Sequence, residues 1–467
     1  MPPYQETIPI KEANWQLRVE SIKKGLPEGF IPNFSPKCFF DCITTLIDHK
    51  DQSITAPVQE VVDIKKDTRP EHDRLKPDKE IEGINETYPN LLVFNQQIGP
   101  EGHPQPISLN DEKNRPIRLL AKDFLRRQTG DVIIAGFAGE ASSVRGCLEA
   151  AIDYVGPNRV VAVDAGYDPL ATEEAKKAGC KVIDQRYVLK NLVDWKLMKE
   201  KFNLPFSAEQ PPSGKGTSYW VGMLYAEATN LLGETDFVTN KDTDVVNPYI
   251  YVPELYMALT RIFAPANDPV EFTQALRTGQ GRNNEPWLYQ VNALVNAKTF
   301  EKRLLGYALG PITWPLSDAR SAMWQHARRM PTTTSMGMET IRNVCSAGLS
   351  IERNLRLTAQ IVVPDQKIEN MESPPDREFR VVFHCAQLLR DLAEMTKLLN
   401  CFPHNWTPDN IASFNDVFGG RITDTFLPPR YQRANLLNQT KQEYILPSIT
   451  QLRNTNGAIK WEELRTI

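Results

Sequence analysis

The chain predicts an α/β fold, a doubly wound and mostly parallel sheet carrying amino-terminal and carboxy-terminal extensions. Three observations predict it. From residue 131 onward, short apolar runs alternate with segments of helical period in the order strand, helix, strand, helix, strand. The composition is that of an ordinary globular chain, 41% hydrophobic and 24% charged over 467 residues, so there is material for one large core plus extensions. A later short strand ends in two acids, Asp242 and Asp244, where sheets of this class present ligand-binding groups.

The elements follow in order. Val132, Ile133, Ile134 and Ala135 form an apolar run, followed by the loop Gly136, Phe137, Ala138, Gly139, Glu140. Val144, Cys147, Leu148, Ala151, Ile152 and Val155 then recur at steps of three and four, which predicts a helix that Ser142 or Ser143 can cap. A second strand runs from Val160 to Asp164. A helix from Thr172 to Lys177 follows, with Gly179 as its stop, and Lys181, Val182 and Ile183 make a third strand. Beyond a proline-rich link, Gly214, Lys215 and Gly216 open a helix with a buried stripe of Trp220, Val221, Leu224, Tyr225, Ala228 and Leu231. That helix leads into the strand ending at Asp242. Further helices are expected over residues 254–263, 338–345 and 385–399. Residues 51–115 are rich in Lys, Asp, Glu and Pro and read as an arm or irregular cap, and the last sixty or so residues read as a wrapping segment.

Bulk properties exclude several functions. Lys and Arg total 54 against 58 Asp and Glu, so the formal charge of -4 gives no reason to expect a nucleic acid or an anionic membrane as partner. No uncharged stretch approaches the ~18 apolar residues of a membrane span. The first residues, MPPYQETIPIKEANW, lack the apolar run of a signal peptide. The seven cysteines are odd in number and contain no CxxC pair, which fits a reducing compartment, and the expected location is the cytoplasm. Cys38 and Cys42 stand four apart, a spacing read as packing because no second pair accompanies them.

Asp242 and Asp244 carry the chemistry. Side chains at i and i+2 of an extended chain share a face, so both carboxylates can point into one crevice. Hard oxygen ligands at a strand end suit Mg²⁺ or Mn²⁺, the cations that neutralise a departing diphosphate. A D-x-D triplet in a solvated loop is the plain alternative.

Order and spacing here resemble the GT-A glycosyltransferases, and more narrowly the group that forms glucosyl-3-phosphoglycerate and mannosylglycerate, over residues 131–396. The resemblance implies a nucleotide-sugar donor, a UDP- or GDP-hexose, and a divalent cation. Ala135, Gly136, Phe137 and Glu140 stand where the group has a P-A-x-N-E-E loop for the base, although the proline, the asparagine and one acid are missing. Asp164 stands at the D-x-G/S turn near base and ribose. Lys215 stands in the G-K-G segment, where the glycines let the backbone approach the donor.

Gly279, Gly281, Arg282, Asn283 and Asn284 are similar to the G-G-G-R-V-T-E loop that holds a phosphorylated acceptor; glycine amides and a guanidinium make a compact anion cradle. Asn284 replaces the threonine. His384, in the segment HCAQLLRDL, corresponds to a histidine metal ligand, so the implied metal set is Asp242, Asp244 and His384. Residues 315–320 resemble the P-L-S/A-G stretch beneath the acceptor site, and residues 331–339 resemble a P-T-G-Y-G-V-E stretch, in which Glu339 either orients a sugar hydroxyl or caps the following helix. Asp244, Lys215 and Glu339 are the catalytic candidates.

This divides the chain into an extension or cap (1–130), a nucleotide-sugar half (131–250), an acceptor half (251–400) and a wrapping segment (401–467). The function implied is hexose transfer, with retention, to an anionic small molecule such as a phosphoglycerate; a protein acceptor stays open, as does a homodimer. Two rivals are carried. A nucleotidylyltransferase needs a G-x-G-T-R-L loop that is absent, and a non-catalytic scaffold has the altered first loop as its motive.

Overall fold

The computed structural model describes residues 91–93, 95–98, 104–106, 108–128, 130–263, 270–277, 319–335, 338–339, 341–342, 346, 358–363 and 444–467. In chain order these give β1 (Leu91–Val93), β2 (Asn95–Ile98), β3 (Pro104–Pro106), α1 (Arg115–Asp123), β4 (Val132–Phe137), α2 (Val144–Val155), β5 (Val160–Asp164) and α3 (Pro169–Lys177). They continue with β6 (Lys181–Asp184), α4 (Gln185–Asn191), α5 (Trp195–Phe202), α6 (Lys215–Ala228), β7 (Phe237–Asp242), α7 (Pro253–Phe263) and β8 (Phe272–Arg277). Last come β9 (Arg320–Met323), α8 (Trp324–Ala327), β10 (Thr332–Thr333), β11 (Thr358–Val363), β12 (Ile445–Leu446), α9 (Ile449–Arg453) and α10 (Trp461–Thr466).

The main sheet has the order β1-β11-β8-β9-β7-β4-β5-β6. Strand β9 runs antiparallel to both neighbours, and every other pairing in it is parallel. The fold is therefore α/β with a mostly parallel sheet, as expected. From β4 the chain steps outward to β5 and β6, then returns to place β7 on the other side of β4. That reversal opens a crevice at the carboxyl ends of β4 and β7, where such sheets bind ligands.

Alternate residues of the central strands feed two cores. Val132 and Ile134 of β4, with Val161 and Val163 of β5, pack against α4, α5, α6 and the last helices through Leu189, Met198, Trp220, Leu224, Leu452 and Leu464. Ile133, Ala135, Val160 and Ala162 face the opposite layer of α1, α2, α3 and α7, with Leu120, Cys147, Leu148 and Leu255. A strand covered on both faces must be apolar at consecutive positions, which is why β4 and β5 read as continuous runs.

The extensions do more than cover the sheet. Helix α1 inserts Ile117, Leu120 and Ala121 into the core shared with β4, and β1 adds an edge strand beside β11. At the other end Leu446, Ile449, Leu452 and Leu464 pack on α6, and the Trp220 indole donates to the Pro447 carbonyl oxygen at 2.9 Å. The helix expected over 254–263 is observed as α7, and Met338, Glu339, Ile341 and Arg342 are helical. The helix expected over 385–399 lies outside the described residues. No described helix is long and apolar enough to cross a membrane.

Candidate active site

The crevice at the ends of β4 and β7 is a cavity of ≈ 370 Å³. Strand register builds it: Gly136 pairs with Asp242, and Phe137 with Asp164, so the three strand ends finish level. Asp242 and Asp244 both line the cavity, as do Gly136, Glu140 and Lys215.

Lys215 is the first residue of α6, and its ammonium bridges two carboxylates. Nζ lies 2.8 Å from Oδ1 of Asp242 and 3.0 Å from Oε1 of Glu339. Burial is the largest single influence and opposes the charge on Lys215; Asp242 and then Glu339 outweigh it, and the ammonium is held above its ordinary range. Glu339 stands behind Lys215, where its backbone carbonyl oxygen accepts from Arg320 at 2.6 Å. Its side chain is 8% exposed, against 27% for Asp242. The glutamate is thus a wall residue, and the aspartate faces the opening.

The turn carrying Thr243 is tied down from the α2 side. The Ser143 hydroxyl donates to the Thr243 carbonyl oxygen at 2.6 Å, and the Cys147 thiol donates to those of Thr243 and Val245. In return the Thr243 hydroxyl donates to the Gly136 carbonyl oxygen at 3.2 Å. Burial pushes the Cys147 thiol up to about 12, so it stays protonated and keeps donating. Ser143 does occupy the helix N-cap, but its hydroxyl makes no capping bond, which corrects the expected local role. Beneath the turn, Lys241 and Glu254 form an ion pair at 2.6 Å with both side chains 3% exposed, fixing β7 to α7.

The glycines beside Lys215 also make room for a packed backbone. A Cβ on Gly216 would collide with the Thr333 carbonyl oxygen, and one on Gly214, at φ +124°, would lie 2.6 Å from that of Thr334. They let the start of α6 press against residues 333–335, where the Thr217 amide and hydroxyl both donate to the Thr334 carbonyl oxygen.

The remaining donor-side candidates divide. One oxygen of Glu140 accepts from the Ala138 and Gly139 amides at 2.7 and 2.9 Å, so this carboxylate shapes its own loop at the cavity edge. Asp164 is buried and accepts from the Gly166 amide of its own turn at 2.6 Å and from the Thr172 hydroxyl of α3 at 2.5 Å; Ala165 and Tyr167 line the cavity there instead. Ala135 faces the α2 core, while Ile134 and Gly136 on either side of it line the cavity. Gly281, Arg282, Asn283, Asn284 and His384 lie outside the described residues. Among the described residues, no group of three or more His, Cys, Asp or Glu is arranged to hold a metal ion; Asp242 and Asp244 stand as a pair.

No protein-family model and no curated protein matches the chain. Solved structures do. Similarity extends to mannosyl-3-phosphoglycerate synthase from Rubrobacter xylanophilus, at 16% identity over 72% of this chain and 92% of that one, with a TM-score of 0.44. Glucosyl-3-phosphoglycerate synthase from Mycobacterium tuberculosis in complex with Mn²⁺, UDP-glucose and phosphoglyceric acid is similar at 15% identity, over 73% of this chain and 95% of that one, with a TM-score of 0.42. The same synthase in complex with Mg²⁺ and UDP gives 14%, 61%, 84% and 0.40. At these identities and scores the chemistry has to be read from the cavity's own residues.

Two aromatics of the wall carry no signal that sequence reasoning caught. Tyr167, 58% exposed at the cavity rim, has the Arg186 guanidinium 5.0 Å from its ring centre. Tyr219 lies one turn along α6 from Lys215 and lines the interior. Its spacing from Lys215 placed both on one helix face, but a tyrosine beside Trp220 reads as core.

Proposed function

We propose that the chain is a divalent-cation-dependent glycosyltransferase moving a hexose from a nucleoside diphosphate donor to an acceptor. One observation carries this reading: Asp242 and Asp244 line the same cavity at the sheet's switch point, with the Lys215 ammonium 2.8 Å from the first of them. Two carboxylates alone would repel a diphosphate. A cation is needed, and the donor set fits a hard one, since two partly exposed carboxylates leave coordination positions for phosphate oxygens and water. When bound, Mg²⁺ or Mn²⁺ neutralises the charge that develops on the leaving diphosphate.

The chain's own residues supply the rest. Lys215, kept cationic by its carboxylate neighbours, brings a second positive charge to the leaving group without reorganisation. Glu339 and Arg320 brace it from the wall side, so its position does not depend on Asp242 alone. Tyr167, backed by Arg186, offers a planar face at the rim for a nucleotide base. His384 completes the metal set in this reading, Arg282 with Gly281, Asn283 and Asn284 holds an anionic acceptor of phosphoglycerate type, and a retaining course lets the leaving phosphate take the acceptor proton.

The test is donor binding and slow donor hydrolysis with Mn²⁺. A screen of UDP- and GDP-hexoses should raise stability by ~2.7 kcal/mol at about 100 times the dissociation constant. Asp244→Ala should abolish both the metal-dependent binding and the hydrolysis while leaving the melting temperature of the free protein near wild type. Full activity in that variant would end the metal reading. A non-catalytic scaffold is favoured by one observation, the mutual satisfaction of Lys215, Asp242 and Glu339. Donor binding without any turnover would support it.

A further inference from the structure

The Lys215 ammonium holds both oxygens of one carboxylate. Nζ lies 2.8 Å from Oδ1 and 3.0 Å from Oδ2 of Asp242, and 3.0 Å from Oε1 of Glu339. Asp242 is also the residue that the donor reading gives to the divalent cation. The two demands conflict: a cation that takes Asp242 meets oxygens already committed to an ammonium, and like charges on one carboxylate repel at short range. The backbone of Lys215 is not free to yield, because α6 begins there, with Gly214 and Gly216 pressed on residues 333–335 and Thr217 bonded to the Thr334 carbonyl oxygen. The side chain can move. It lines the cavity and carries its charge on a flexible stem.

Glu339 supplies the pivot. It is the more buried of the two carboxylates, and Arg320 donates to its backbone carbonyl oxygen. Leaving Asp242 for Glu339 alone would cost the ammonium a charge-assisted hydrogen bond, unless another anion replaces it. A diphosphate in the same cavity is such an anion. We propose that Lys215 exchanges Asp242 for the donor diphosphate, with Glu339 as its constant partner, so that donor binding frees Asp242 for the cation. This rests on the donor reading above and adds a coupling to it. Cation and nucleotide each strengthen the other's binding, by the same factor. The exchange is complete once the site is loaded, so the ammonium is already in place when the bond to the sugar breaks.

Lys215→Met removes the charge and keeps an unbranched stem. Mn²⁺ binding to wild type and variant, followed by the electron paramagnetic resonance of the free ion, is measured alone and with saturating UDP or GDP, whichever wild type prefers. Mn²⁺ alone should bind the variant roughly five- to hundredfold more tightly, because nothing competes for Asp242. The factor by which the nucleotide tightens Mn²⁺ binding should be smaller in the variant by a similar amount. An equal gain in Mn²⁺ affinity with and without nucleotide would leave that factor unchanged and make Lys215 a repelling charge that does not exchange partners. No gain at all would mean that ammonium and cation do not compete. Either result overturns the inference while leaving the metal reading intact, and a wild type that binds no Mn²⁺ under either condition would remove both. Melting curves check that the variant is folded. If it is not, Lys215→Gln, which keeps N–H donors for the carboxylates without the charge, takes its place with the same outcomes expected.

Discussion

The Ser143 hydroxyl donates to the carbonyl oxygen of Thr243 at 2.6 Å, so the residue between the two cavity aspartates is fixed to the amino-terminal end of α2. The bond is buried and spans 100 residues of sequence. It makes α2 part of the scaffold that aims the carboxylates. Ser143→Ala leaves that carbonyl oxygen with the longer contact from the Cys147 thiol, at 3.4 Å. The expected cost is ~1 kcal/mol of stability. Donor affinity in the presence of Mn²⁺ should fall severalfold, and loss of stability with no change in donor affinity would show that the turn keeps its shape without Ser143.

Lys215 gives a pH dependence whose sign is fixed. Its folded value is raised above the ordinary 10.5, so the stability it contributes is fully present below pH 10.5 and is lost as pH rises through the folded value. Lys215→Met removes that contribution and leaves Asp242 and Glu339 facing an apolar chain. The stability gap between wild type and variant, measured by urea unfolding without metal, should stay level from about pH 7 to pH 10 and narrow above 10.5. A gap that closes between pH 7 and 9 would mean that the lysine titrates near neutrality and is not held charged by its partners.

Gly216 tests whether α6 is seated on residues 333–335. An added methyl group would collide with the backbone oxygen of Thr333, which has no flexible end to yield. Gly216→Ala should therefore cost about 3 kcal/mol, the upper part of the range for overpacking, and shift the urea midpoint accordingly. Gly139→Ala is the control, because nothing lies within 4 Å of a Cβ there. Similar midpoints for the two variants would contradict the seating of α6.

The sequence by itself determined the layers and the order of the central strands' helices. The runs at Val132 and Val160 had to be doubly covered strands, and the three-and-four spacing from Val144 had to be a helix, since each follows from a local period. Tertiary structure alone decided the antiparallel insertion of β9 between β7 and β8, because strand direction depends on where a connection crosses the sheet and not on the strand's own residues. It alone joined Lys215 to Glu339, 124 residues away, turned the Ser143 hydroxyl from its helix to Thr243, and set the glycines of residues 214–216 against Thr333. A side chain's partner is fixed by which distant backbone comes to lie within hydrogen-bond reach, about 3 Å, and no local period carries that distance.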